Sequence, residues 1–180
     1  MSRFYRAISF VFLAILLTSG CSKTDEIDQE KFRKIYLSAK AIDASIKAGI
    51  SFARFGEKVR NLAKEISVAS DLQINKKEKE LLEKYDELYE IYKDSAILWQ
   101  IKMKEASGEY RGHINLDQND STRSILSPII QKYPILVENK TSSKYGKPRR
   151  YINADAAMRE IWKRARHLSE QSNNIYLGKD

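Results

Sequence analysis

Asn75 to Trp99, which reads NKKEKELLEKYDELYEIYKDSAILW, decides the fold. Leu81, Tyr85, Leu88, Tyr92, Ala96 and Trp99 recur at steps of three and four, so one apolar stripe runs along a helix. The opposite face is Lys and Glu, with Glu80 four residues before Lys84, a spacing that favours pairing. Asn75 followed three residues later by Glu78 is a capping-box variant. The helix is therefore expected to start there and to end near Ala106.

A matching pattern lies upstream. Phe32, Ile35, Ala39, Ile42 and Ile46 form one stripe, with Thr24 as the expected N-cap and Asp25, Glu26 and Asp28 in the first turn, where the helix dipole favours anions. Gly49-Ile50-Ser51 interrupts it, and a kink or break is expected because Gly suits a helix end and Ser a new start. Phe52, Phe55, Val59, Leu62, Ile66 and Ala69 resume the stripe to Ser70, and Asp71 to Asn75 reads as a turn. Two amphipathic helices joined by a short polar turn make an antiparallel hairpin. The expected class is mainly α: a long kinked hairpin over 21–107 and a smaller, basic helical part over 108–180, in one domain.

The C-terminal part is less regular. Gly108 to Ser121 reads as a connecting loop. Ser124 to Tyr133 is expected as a short helix in two pieces, restarting at Ser127-Pro128 and ended by Pro134. Ile135-Leu136-Val137 fits a brief strand. Asn153 should cap a last helix carrying Ala157, Ile161, Ala165 and Leu168, and the tail from Ser172 should fray. Seven Gly and three Pro in 180 residues argue against an all-β architecture, which needs many turns.

The N-terminus gives an address. Arg3 and Arg6 precede an apolar run from Ala7 to Leu17, and Thr18-Ser19-Gly20 then lead to Cys21, the single cysteine. A charged start, a short apolar run and a small-residue cut site make a secretory signal peptide, and the run is well short of the ~20 residues of a spanning helix. The ending resembles the lipobox of bacterial lipoproteins, with Thr18 at the usual Leu position and Leu17 one place further away. This resemblance covers residues 1–21 alone. It implies removal of 1–20, a diacylglycerol on the Cys21 thiol, and a domain facing outside the cytoplasm. Ser22 stands where an Asp would resemble an inner-membrane retention signal, so the outer membrane is expected if the organism is Gram-negative.

The net charge of +8 is unevenly spread. From 21 to 107 there are 17 basic and 16 acidic residues, and from 108 to 180 there are 13 and 8. The excess peaks at Lys144-Tyr145-Gly146-Lys147-Pro148-Arg149-Arg150-Tyr151, four cations interleaved with two tyrosines and with Lys140 just before. Arg forks bind phosphate, and polybasic segments gain near anionic surfaces. Lys144, Lys147, Arg149, Arg150, Tyr145 and Tyr151 are the candidate anion-binding residues, weighed against a plain solvated loop. Nucleic acid is not an expected partner outside the cytoplasm.

Catalytic motifs do not stand out. Tyr85, Tyr89, Tyr92 and Trp99 have the spacing of a helix core as well as of a stacking platform, and core is the preferred reading. His113 and His167 lack neighbours at metal-ligand spacing, and Asp117 to Ser121 lacks the Gly and closing Glu of a calcium loop. No metal or cofactor is expected. The expectation is a non-catalytic, lipid-anchored envelope protein that docks a partner at the membrane. The alternatives are a direct binder of anionic lipids or envelope polymers through 144–150, and, third, an enzyme.

Overall fold

A computed structural model describes residues 26–105, 110–141 and 146–179. The signal peptide, Cys21, Thr24, Lys144 and Tyr145 lie outside the described residues. The described chain is mainly helical, with five helices and one small sheet: α1 (Gln29–Lys47), α2 (Phe52–Ser70), α3 (Lys76–Glu105), β1 (His113–Asn115), α4 (Asp120–Lys132), β2 (Val137–Thr141), β3 (Pro148–Asn153) and α5 (Ala154–Tyr176).

Asp28, four residues beyond Thr24, caps α1: its Oδ1 accepts from the Glu30 N–H at 3.1 Å. The capping box opens α3, with the Asn75 N–H donating to Glu78 Oε2 at 2.8 Å and the Glu78 N–H to Asn75 Oδ1 at 2.9 Å. Glu78 does more than cap. Its buried carboxylate also accepts from the Asp28 N–H at 3.0 Å and from Lys31 Nζ at 3.3 Å, which ties the starts of α1 and α3 together.

At Gly49-Ile50-Ser51, where a kink or break is expected, the helix breaks and the chain reverses. Gly49 sits at φ +81°, a conformation that costs a side-chain-bearing residue but not Gly. Consequently α1 folds back along α2, and Lys31 in its first turn reaches the Gln73 carbonyl just past the end of α2, at 3.2 Å. The last helix, expected in a smaller C-terminal part beside the hairpin, packs as a full member of the bundle. α5 runs antiparallel to α3, joined by Arg164 to Glu87 at 3.1 Å and by the Lys102–Asp155 pair, and it also touches α1. Four helices in up-down-up-down order thus enclose the core. Phe32, Phe55, Leu62, Leu81, Tyr85, Leu88, Tyr92 and Ile161 are fully buried there. Each such side chain stabilises the fold by roughly 1.5–3 kcal/mol.

One polar cluster inside is paired across three helices, whereas the buried Tyr85 hydroxyl and Ser95 hydroxyl have no hydrogen-bond partner among the described residues. Asp43 of α1 accepts from Tyr92 Oη of α3 at 2.5 Å and from Ser169 Oγ of α5 at 2.6 Å. Burial, reinforced by the facing carboxylate, pushes the Tyr92 phenol far above its ordinary range. The tail does not fray at Ser172. Ser172, Ile175 and Tyr176 are buried, and the Tyr176 ring stacks on Tyr36 with centroids 4.3 Å apart.

Between α3 and α5 the chain builds a side structure at one end of the bundle. α4 is one helix, capped by Asn119, whose Oδ1 accepts from the Ser121 N–H at 2.9 Å. It passes through Pro128, and Ser127 bonds back to the Arg123 carbonyl at 2.7 Å rather than capping a second piece. Tyr133 is extended before Pro134, as the ring of a following proline requires. The strand begins at Val137 rather than Ile135, and Leu136 is 73% exposed. The loop expected over 108–121 contains β1. The sheet order is β1-β3-β2, antiparallel throughout.

Candidate functional site

The basic segment is half of a β-hairpin. In β3, Arg149, Tyr151 and Asn153 share one face, because successive side chains alternate. Their cross-strand partners lie on that face too: Lys140 opposite Arg149, Glu138 and Asn115 opposite Tyr151, His113 opposite Asn153. The other face presents Ile114, Ile152 and Val137 toward the helices, and the two isoleucines are buried in the core.

The outer face is a compact polar cluster centred on Lys140. Its ammonium lies 2.8 Å from Glu138 Oε2 and 2.7 Å from His113 Nε2, and 5.3 Å from the centre of the Tyr110 ring. Tyr110 closes over this face. Its hydroxyl donates to the Thr141 carbonyl at 2.9 Å, and its ring meets Tyr151 edge-on at 5.0 Å. The hydrogen bond from Lys140 holds the Glu138 carboxyl below its usual range.

The sequence candidates fare differently from one another. Tyr151 is buried beneath Tyr110 and serves packing. Arg150 is clamped by Asp117: Nη2 lies 2.6 Å and Nε 3.1 Å from Oδ1, while the Arg150 N–H donates to Oδ2 at 2.8 Å. That fork holds the Asp117 carboxyl well below the ordinary carboxylate range. Arg149 is half-buried and engaged in an interaction, and Lys147 is exposed. Within the polycationic run Arg150 is thus neutralised by Asp117 from the loop after β1, and next to the run Lys140 is paired with Glu138. Sequence reading passed over Tyr110 and Glu138. The alternation of Glu138 with Lys140, and of Arg149 with Tyr151, across a Gly-containing turn is the signal that marks Glu138, whereas Tyr110 lies outside that pattern.

A second concave region lies where the α1–α2 turn meets α3 and α5. A cleft of about 310 Å³ is lined by Ile46, Ile50, Trp99, Met158 and Trp162, with Lys102, Asp155 and Arg159. Phe55, Trp99 and Trp162 pack mutually at 5.7–6.5 Å, and Phe52 adds an edge contact to Trp99 at 5.7 Å. Lys102 and Asp155 satisfy one another. His113, Asp117 and Asp120 do not converge: Asp117 holds Arg150 and Asp120 pairs with Arg123. Among the described residues, no group of three His, Cys, Asp or Glu side chains could hold a metal ion.

No family model, curated protein or solved structure matches this chain. None of its described helices is long and apolar enough to cross a membrane.

Proposed function

We propose that this chain is a lipid-anchored bacterial envelope protein, held by diacylglycerol on Cys21, that acts as a non-catalytic docking module for a partner at the membrane. The single observation that carries the reading is how soon the bundle begins after Cys21. The Glu26 carbonyl accepts from Asn75 Nδ2 at 2.9 Å, so the chain is pinned to the bundle five residues after the anchor residue. Five Cα steps span at most about 18 Å, so the bundle stays against the surface that holds the anchor. Two or three acyl chains hold such a domain stably, where one does not. Ser22 directs it to the periplasmic face of an outer membrane in a Gram-negative cell.

Docking is favoured over direct binding of anionic polymers or lipids by the state of the hairpin. Arg150 and Lys140 already have carboxylate partners, and Tyr151 is covered. The test is metabolic labelling with palmitate, followed by in-cell crosslinking of the tagged protein. Cys21→Ser is expected to abolish the label, and one dominant envelope protein should crosslink and persist when Lys147 and Arg149 are neutralised. Label retained by the serine variant would refute the anchor. Recovery of lipid or polymer alone, lost on neutralising those cations, would refute docking.

A further inference from the structure

We infer that the bundle end formed by the α2–α3 turn and Leu177–Lys179 is a lipid-contacting surface, resting on the bilayer that holds Cys21. The inference rests on the reading of Cys21 as the lipid anchor. Three elements meet at this end. The start of α1 is joined to the turn by Lys31 to the Gln73 carbonyl and by Asn75 to the Glu26 carbonyl. It is joined to the end of α5 by Tyr176, whose hydroxyl donates to the Gln29 carbonyl at 3.2 Å. The tether from Cys21 therefore enters at this end.

The surface there is suited to a bilayer. Val68 in the last turn of α2 and Leu72 just past its C-cap are 53% and 41% exposed, and Leu177 is 38% exposed. Lys76, Lys77 and Lys179 are exposed beside them, which suits a surface of lipid phosphates. Asp71, Glu26, Asp28 and Glu30 are exposed there as well, so the apolar side chains are the main contact and the lysines only offset these acids. Glu78 adds no repulsion, because it is buried against Lys31 and backbone amides. Met103, Ile125 and Leu136, also exposed, belong to the opposite end. The 30 residues of α3 set the two ends about 45 Å apart at 1.5 Å per residue. A tether of about 18 Å reaches one end and not the other. The basic hairpin then faces away from the anchoring bilayer.

The experiment uses the full lipidated protein in vesicles of phosphatidylethanolamine and phosphatidylglycerol. Because the Cys21 thiol carries lipid, Leu72→Cys or Leu136→Cys supplies the one free thiol for a fluorophore. Both positions are exposed, and circular dichroism verifies folding. With nitroxide-headgroup phospholipid as quencher, the probe at position 72 is expected to be quenched several-fold more than the probe at 136. Equal quenching, stronger quenching at 136, or none at either position would overturn the inference. Palmitate labelling of the same samples separates the two readings. Labelled protein with the wrong quenching pattern refutes this surface alone, whereas unlabelled protein refutes the anchor and the surface with it.

Discussion

Replacing Glu78 with Ala is expected to destabilise the protein by about 3 kcal/mol, an unusual cost for a helix-capping residue. Its carboxylate, 1% exposed, accepts from two backbone amides and from Lys31. A hydrogen bond to a charged group contributes ~1.5–3 kcal/mol. The Lys31 side chain is 32% exposed and rehydrates when its partner goes, so little is assigned to it. The two amides are partly reached by water, and removing a buried charge returns some desolvation energy. These corrections bring the sum down to about 3 kcal/mol, or roughly 6–12 °C in Tm for a domain of this size. Glu78→Gln keeps a carbonyl acceptor and should lose only about 1–1.5 kcal/mol. Urea unfolding followed by circular dichroism measures both. A double-mutant cycle with Asn75→Ala should give a coupling of about 1 kcal/mol, because the two caps act reciprocally. A loss below about 1 kcal/mol for Glu78→Ala, or strict additivity in that cycle, would refute the clasp.

The bundle interior gives a second test. Asp43→Ala leaves the Tyr92 hydroxyl and Ser169 without acceptors and should cost about 2–4 kcal/mol in urea unfolding, with Asp43→Asn milder. A change below about 0.5 kcal/mol would mean water replaces the carboxylate. Two glycines should respond with opposite sign. Gly49→Ala should cost ~1 kcal/mol from its positive φ alone, whereas Gly56→Ala, inside α2 and 3.7 Å from only the Arg60 guanidinium, should gain about 0.5–1 kcal/mol. Equal thermal shifts would count against the left-handed turn. Asp117 gives a pH signature. Its folded-state affinity for protons is lowered chiefly by the Arg150 side chain, so its contribution is complete above the ordinary carboxylate range near ~4 and is lost as pH falls through the lower folded value. The stability difference between the native chain and Asp117→Asn should therefore shrink as pH falls below about 5. A pH-independent difference would show that the clamp is not ionic.

What was legible in the sequence was local. The Asn75–Glu78 box and the stripe from Leu81 to Trp99 depend on neighbours within a turn or two, and the helices form where those patterns lie. Gly49 marks an interruption equally well for a kink and for a reversal. The choice is made by the α1 stripe, which buries itself only when Phe32 and Ile35 fold back into the core. The sheet was harder still. β1 has three residues, and β2 carries Val137 as its single apolar residue, so neither shows a repeating apolar pattern. Charge on the basic segment was visible, but its neutralisation was not: Asp117 meets Arg150 across 33 residues of sequence. Tyr151 looked like a surface aromatic because Tyr110, which covers it, comes from another part of the chain.

The meeting of Tyr176 with Gln29 has a practical consequence for handling this protein. Both ends of the described chain emerge from the same pole, so under the proposed anchoring through Cys21 a C-terminal affinity tag or fluorescent fusion would be wedged between the domain and the membrane. Such a fusion would tilt the molecule or mask its underside, and a loss of function in a tagged strain would then mislead. The reversal at Gly49 to Ser51 lies away from that pole, and Gly49 and Ser51 are exposed there, so an epitope is tolerated provided that Ile50 keeps its place in the aromatic cleft. Reporters are better placed there.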